Sequence, residues 1–180
     1  MAFSVLIQGC AKDHVVSRPT IENNPNWEMV ENCGYEGCTP MVDFLSAKDI
    51  RIRIESFNHL LRPNLFVLRV MFVGTDYDEL KSDQYKFNTS DTSMTLMDGT
   101  ILTPKVFTCS HTIWDKNYLQ STPSMKGRIR LSDNNCFLLY FDSPPPTVNE
   151  EFTMAINGLT KSGQHVDIPD ITFKNGISRW

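Results

Sequence analysis

The clearest indication of the fold class of this chain is the stretch Cys136-Phe137-Leu138-Leu139-Tyr140-Phe141. Its six apolar or aromatic residues lie between the turn-forming sequence Ser-Asp-Asn-Asn and the sequence Ser-Pro-Pro-Pro. So short an apolar run between turn formers predicts a strand that is buried on both faces. We do not expect a helix here, because the prolines prevent its continuation and the Asp-Asn cluster favours a turn.

Several other stretches predict strands of an antiparallel sheet. Ile50, Ile52 and Ile54 alternate with Arg51 and Arg53, which indicates a half-buried strand with its arginines outward. Residues 65–73 form a nearly continuous apolar run, and residues 94–102 form a hairpin with Asp-Gly at a type I′ turn. About eight short strands, without a convincing helix of ten residues, predict an all-β antiparallel β-sandwich.

Composition and charge narrow the class of protein. The chain has 180 residues, of which 41% are hydrophobic and 11% aromatic, enough to form the core of one folded domain, with or without a tail. A formal charge of −4 gives no basic footprint, so we expect no nucleic acid partner. No apolar run approaches the roughly 18 residues of a membrane-spanning helix.

The apolar stretch at the N-terminus ends with Leu6-Ile7-Gln8-Gly9-Cys10. This sequence resembles the lipobox of bacterial lipoproteins, which implies cleavage before Cys10 and a diacylglycerol on its thiol. The resemblance implies a lipid anchor and a location in the periplasm or at the cell surface, and we expect a protein partner in the cell envelope. The alternative is that residues 2–8 form an ordinary strand and Cys10 is a buried thiol.

The predicted division of the chain follows from this resemblance. Residues 1–10 would be a signal or lipobox remnant, and residues 11–40 an N-terminal spacer with a Cys-x₄-Cys loop. Residues 41–180 would be the β-sandwich domain. The spacer is predicted because residues 15–26 are rich in Pro, Asn, Ser and Thr, and their apolar residues follow neither a helical nor a strand period.

The remaining cysteines predict two disulfides. Without Cys10 the chain has four, an even number that suits an oxidising compartment. We pair Cys33 with Cys38 across a tight loop, and Cys109 with Cys136; free buried thiols are the alternative for the second pair. A structural zinc site is a further alternative, although we expect neither metal nor cofactor, and its four ligands would be Cys33, Cys38, Cys109 and His111.

We find no catalytic signature and predict that the protein is not an enzyme. The chain has no Gly-x-Ser-x-Gly elbow, no His-Glu-x-x-His and no phosphate-binding glycine loop. Ser110 and His111 are adjacent, and adjacent strand residues point to opposite faces, so they do not form a nucleophile–base pair. Cys109 has His111 as a basic neighbour, but a disulfide would remove that thiol.

From residue 94 onward, the order of hairpin, aromatic strand, proline-rich corner and amphipathic strand resembles an immunoglobulin-like bacterial surface domain. That resemblance implies a shape and no activity. We therefore predict a membrane-tethered, non-enzymatic protein-binding domain: an adaptor, an inhibitor or immunity-type factor, or an assembly subunit. The candidate contacts are Trp114 and Tyr118 in the long loop 110–126, and Arg51 and Arg53 on their strand.

Two alternatives remain open. A small-ligand or glycan-binding module would use the same aromatic side chains as a stacking platform in a shallow groove. An unrecognised hydrolase would hold histidine or carboxylate groups with shifted pKa values in a deep pocket.

Overall fold

The computed structural model describes residues 13–21, 27–34, 37–46, 50–56, 66–74, 84–109 and 116–179. Nearly all of the regular structure in these ranges is extended, with one short helix, α1 (Lys116–Ser121), and one 3₁₀ turn (Thr89–Asp91). The strands are β1 (Asp13–Thr20), β2 (Trp27–Gly34), β3 (Gly37–Ser46), β4 (Ile50–Ser56), β5 (Phe66–Gly74), β6 (Tyr85–Asn88), β7 (Thr92–Leu96), β8 (Ile101–Leu102), β9 (Lys105–Thr108), β10 (Arg128–Arg130), β11 (Cys136–Phe141), β12 (Glu151–Ile156), β13 (Leu159–Lys161), β14 (Gln164–His165) and β15 (Ile171–Arg179).

The strands form three antiparallel sheets. Their orders are β2-β3-β4-β5-β11-β9, β1-β15-β12-β7-β8 and β10-β6-β13-β14. The six-stranded sheet packs against both of the others: the Phe66 ring lies 5.3 Å from that of Phe152, and the Phe72 ring lies 5.1 Å from that of Phe87. The predicted all-β antiparallel sandwich is confirmed.

The stretch 136–141 forms strand β11, which lies between β5 and β9. Phe137, Leu139 and Phe141 point into the main core, whereas Leu138 and Tyr140 belong to a second buried cluster on the opposite face. The prediction of a strand buried on both faces is confirmed.

Strand β4 keeps the predicted alternation, with one exception on its polar face. Ile50, Ile52 and Ile54 are fully buried in the core. Glu55, on the outward face, is only 1% exposed and pairs with the Arg69 guanidinium of β5. Burial of a carboxylate requires such a partner, because an isolated charge loses its hydration without compensation.

The hairpin between β7 and β8 is present, but its turn differs from the predicted type I′ turn. The Gly99 amide donates to the Leu96 carbonyl (2.9 Å), and Gly99 has φ +82°. Asp98 is not among the described non-glycine residues with positive φ, so the connection is a three-residue loop with glycine in the left-handed region. The Asp98 carboxylate accepts a hydrogen bond from the Thr100 amide (2.8 Å), and this bond lowers the pKa of Asp98.

The five- and four-stranded sheets are joined at a close crossing. The chain passes from β6 into β7 through the 3₁₀ turn, and from β12 into β13 through Asn157 and Gly158. The Asn88 amide donates to the Gly158 carbonyl (2.9 Å), and the Asn157 amide donates to the Asp91 carbonyl (2.8 Å). A Cβ atom on residue 158 would lie 2.1 Å from the Asn88 oxygen, so only glycine fits at this crossing.

The division of the N-terminal part differs from the predicted one. Strand β1 lies within the predicted spacer, yet it pairs with β15 over its full length. Strands β2 and β3 form a hairpin at one edge of the six-stranded sheet. This hairpin includes the predicted Cys-x₄-Cys loop and continues past residue 40, where the predicted spacer ends. These segments are part of the sandwich because pairing with other strands satisfies their backbone hydrogen-bonding groups. Their local sequence pattern does not reveal this pairing. Residues 1–10 lie outside the described ranges.

Candidate binding surface

Three of the four predicted contact residues lie on the outer face of the six-stranded sheet. Arg51 and Arg53 are on strand β4, and Tyr118 is on helix α1, which covers part of β5, β9 and β11. Trp114 lies outside the described residues. The structure therefore places three of the four candidates on one face, although they come from separate parts of it.

The arginines of β4 are engaged by their own sheet. The Arg51 guanidinium lies 3.4 Å from a carboxylate oxygen of Glu28, with the two side chains 20% and 59% exposed. Arg53 is half-buried, and Arg69 on the neighbouring strand pairs with Glu55. An exposed pair such as Arg51–Glu28 contributes only about 0–1 kcal/mol to stability. The strand thus carries matched charges, which makes it a weaker binding candidate than the helix.

A second apolar cluster holds helix α1 against the sheet. Leu119 is completely buried, and its partners on the sheet are Val67, Phe107, Leu138 and Tyr140. A helix of six residues has little stability by itself, so these contacts maintain it. The sequence predicted a loop for residues 110–126, because six residues are too few to show a helical period.

Polar contacts hold the end of the same helix. The Lys105 ammonium donates to the Gln120 carbonyl (2.7 Å), and the Gln120 side-chain amide donates to Asp142 Oδ1 (3.0 Å). The Tyr140 hydroxyl donates to the same carboxylate oxygen (3.0 Å). Burial, followed by the hydrogen bond and the negative charge of Asp142, raises the pKa of Tyr140 above its ordinary value of 10.0.

Tyr118 projects from this fixed helix. Its side chain is 44% exposed, whereas its neighbour Leu119 is completely buried. An aromatic side chain on a clamped helix loses little conformational freedom on binding, and buried aromatic anchors are frequent hot spots of protein interfaces. Stacking of a glycan would require a second aromatic in the same plane. The other candidate, Trp114, is outside the described residues, so the glycan alternative remains a hypothesis.

The cysteines are placed as follows. Cys109 and Cys136 form a disulfide between the ends of β9 and β11, with their Cα atoms 5.4 Å apart. A disulfide-bonded Cys109 is neither a zinc ligand nor a nucleophile. The backbone register places Cys33 directly opposite Cys38, and their disulfide remains a prediction because the structure does not describe their side chains. Cys10 and His111 lie outside the described residues.

A group of cations that no sequence pattern indicates lies on the four-stranded sheet. Lys86, Arg128 and Arg130 are exposed on its outer face. Arg128 and Arg130 alternate with Ile129, which shows that both face outward, but the sequence does not reveal that Lys86 lies beside them. Strand pairing alone brings these residues together.

Among the described residues, no group of three or more His, Cys, Asp or Glu side chains could hold a metal ion. No helix in the described ranges is long and apolar enough to cross a membrane. Comparisons of the chain with protein-family models, curated proteins and solved structures give no match.

Proposed function

We propose that this chain is a non-enzymatic, protein-binding β-sandwich domain of the bacterial envelope, tethered to the membrane through a lipid on Cys10. The observation that carries the binding function is the exposed Tyr118 on a helix fixed to the sheet. The partner is a protein with an apolar pocket for the tyrosine ring and a polar rim around it.

Helix α1 is held in a fixed position, which favours binding of a protein partner more than a flexible loop would. Leu119 holds the helix against the six-stranded sheet, and the contact between Lys105 and Gln120 holds its C-terminal end. Preorganisation lowers the entropic cost of association, so a single aromatic anchor contributes more of its burial to affinity.

Two features support the proposed location. The Leu6–Cys10 stretch resembles a lipobox, and the Cys109–Cys136 disulfide suits an oxidising compartment such as the periplasm. These features are independent of each other, because one is a targeting pattern and the other a cross-link within the folded domain.

The binding function is tested by a photo-crosslinking amino acid at position 118, in bacterial cells that express the chain from its full upstream reading frame. The control carries the same amino acid at Thr95, which is exposed on the outer face of the five-stranded sheet. We expect one discrete protein adduct from position 118 and none from position 95. Tyr118→Ala should weaken purified complex formation at least tenfold, and Thr95→Ala should not. Identical adducts at both positions, or no adduct at position 118, would overturn the proposal.

The tether is tested separately by the intact mass of the protein from the same cells, with and without reduction. We expect a chain that begins at Cys10 with acyl chains attached. A chain that retains the residues before Cys10 and carries no acyl chains would overturn the lipid anchor and leave the binding test unaffected.

A further inference from the structure

We propose that the outer face of the four-stranded sheet is a second docking surface, which binds an acidic segment of a partner protein. We call this surface the basic face and define it by Lys86, Arg128 and Arg130, with Thr160 and His165 at its other end. The basic face belongs to the layer opposite helix α1, so this proposal stands independently of the one for Tyr118.

The register of the sheet creates a cross-strand row of side chains. Arg130 on β10 lies opposite Lys86 on β6, Lys86 lies opposite Thr160 on β13, and Thr160 lies opposite His165 on β14. Arg128 lies two residues before Arg130 and therefore projects from the same face.

The alternating residues show which way this row points. Phe87 and Leu159 are fully buried in the main core, and Ile129 packs against it. Side chains alternate between the two faces of a strand, so the neighbouring cations project away from the core. Lys86 and Arg130 are accordingly exposed.

The charges of the basic face are not balanced by the described acidic groups. Lys86, Arg128 and Arg130 take part in none of the ion pairs found between described residues. Among the described residues, the acids nearest to them along the chain are Asp91, which accepts a hydrogen bond from the Asn88 side-chain amide (2.7 Å), and Asp133, which is exposed beside Ser132. Like charges directly opposite each other destabilise a sheet, so the Lys86–Arg130 pair is unfavourable for folding.

A second pair of opposite cations in the same protein shows how a neighbouring carboxylate compensates for the repulsion between them. Arg18 lies directly opposite Lys174 in the five-stranded sheet, and the Lys174 ammonium lies 3.0 Å from a Glu151 carboxylate oxygen. The chain as a whole has more acidic than basic residues, 21 against 17. Acids are thus abundant, yet no acid among the described residues balances Lys86 and Arg130 in this way. A local feature that opposes folding without compensation indicates a functional role.

The spacing and type of the cations favour carboxylates on an extended segment. Arg128 and Arg130 project about 6.5 Å apart along β10, which equals the distance between alternate side chains of a neighbouring strand. Guanidinium groups bind carboxylates through two parallel hydrogen bonds. A nucleic acid fits less well, because Tyr85 and Phe87, the aromatic residues of strand β6, are buried, and the net charge of −4 repels a long polyanion.

The proposal is tested with the purified oxidised chain and a fluorescein-labelled eight-residue peptide with glutamate at alternate positions, by fluorescence anisotropy at low and at moderate salt. The test variant is Lys86→Gln with Arg130→Gln. The matched control is Arg18→Gln with Lys174→Gln, because it also removes two opposite cations from an outer sheet face. We expect at least a tenfold loss of affinity in the test variant, a change of less than twofold in the control, and weaker binding as salt increases.

Fold integrity and the competing partner class are checked in the same experiment. The test variant should melt at the same temperature as the parent chain or higher, because it relieves repulsion. Equal losses of affinity in both variants would show a net-charge effect and overturn the proposal. A single-stranded oligonucleotide that binds more tightly than the peptide would also overturn it, in favour of nucleic acid.

Discussion

Replacing Gly158 with alanine is expected to destabilise the crossing between the five- and four-stranded sheets. The added methyl group would lie 2.1 Å from the Asn88 carbonyl oxygen and 3.0 Å from its carbon. Both atoms are backbone, so no side chain can rotate to make room. The strands themselves must separate, at the point where the Asn88 amide donates to the Gly158 carbonyl.

The expected loss of unfolding free energy is the sum of a steric effect and a hydrogen-bonding effect. The methyl group must move by at least 3.0 − 2.1 = 0.9 Å to reach the shortest separation that real Cβ atoms show. Overpacking of this kind costs about 1–3 kcal/mol. Loss or distortion of the backbone hydrogen bond adds about 1 kcal/mol. We therefore expect the free energy of unfolding to fall by about 2–4 kcal/mol, which for a chain of this size lowers Tm by roughly 5–15 °C.

The assay is thermal and urea denaturation of the purified oxidised protein, followed by circular dichroism. The control is Gly176→Ala in strand β15, where an added Cβ meets no atom within 4 Å. We expect that control to change stability by about 0.5 kcal/mol or less. Equal stability of the two variants would refute the argument that close backbone approach at the crossing requires glycine at position 158.

Three further predictions follow from other contacts. Asn175→Ala removes the buried amide that donates to the Pro146 (2.6 Å) and Thr147 (3.2 Å) carbonyls, so urea denaturation should show a loss of about 2–3 kcal/mol. Replacing Cys109 and Cys136 together with serine opens a cross-link that spans 27 residues, which should cost about 3–4 kcal/mol, and reduced wild-type protein should match the variant. Because the fold raises the pKa of Tyr140, the protonated phenol stabilises the folded state. This contribution is complete below the ordinary value of 10.0 and is lost as the pH rises through the folded-state pKa, so pH-dependent denaturation of Tyr140→Phe should lack it.

Some residues of the candidate surfaces could be predicted and others could not. Tyr118 can be predicted as a contact residue because it is an aromatic residue in a long polar segment, and the structure places it on the surface. The burial of Glu55 was not predicted, because the period-two pattern assigns it to the polar face of β4 and gives no information on its Arg69 partner. Periodicity determines the direction of a side chain, whereas burial depends on what covers that face.

Local sequence is sufficient for those elements that depend on interactions within a few residues. Six apolar residues between turn formers are sufficient for β11, alternating isoleucines are sufficient for β4, and Asp98-Gly99 is sufficient for a hairpin. Steric and hydrogen-bonding preferences within a few residues decide these features, so one short stretch contains the information.

The way in which these elements combine depends on contacts between distant parts of the chain. Strand β1 becomes part of the sandwich because β15, at the other end of the chain, pairs with it. Lys86 and Arg130 become neighbours because β6 pairs with β10, and Gly158 is required because it crosses Asn88. Cross-strand pairing joins residues that are far apart in sequence, and no local pattern specifies which strands will pair.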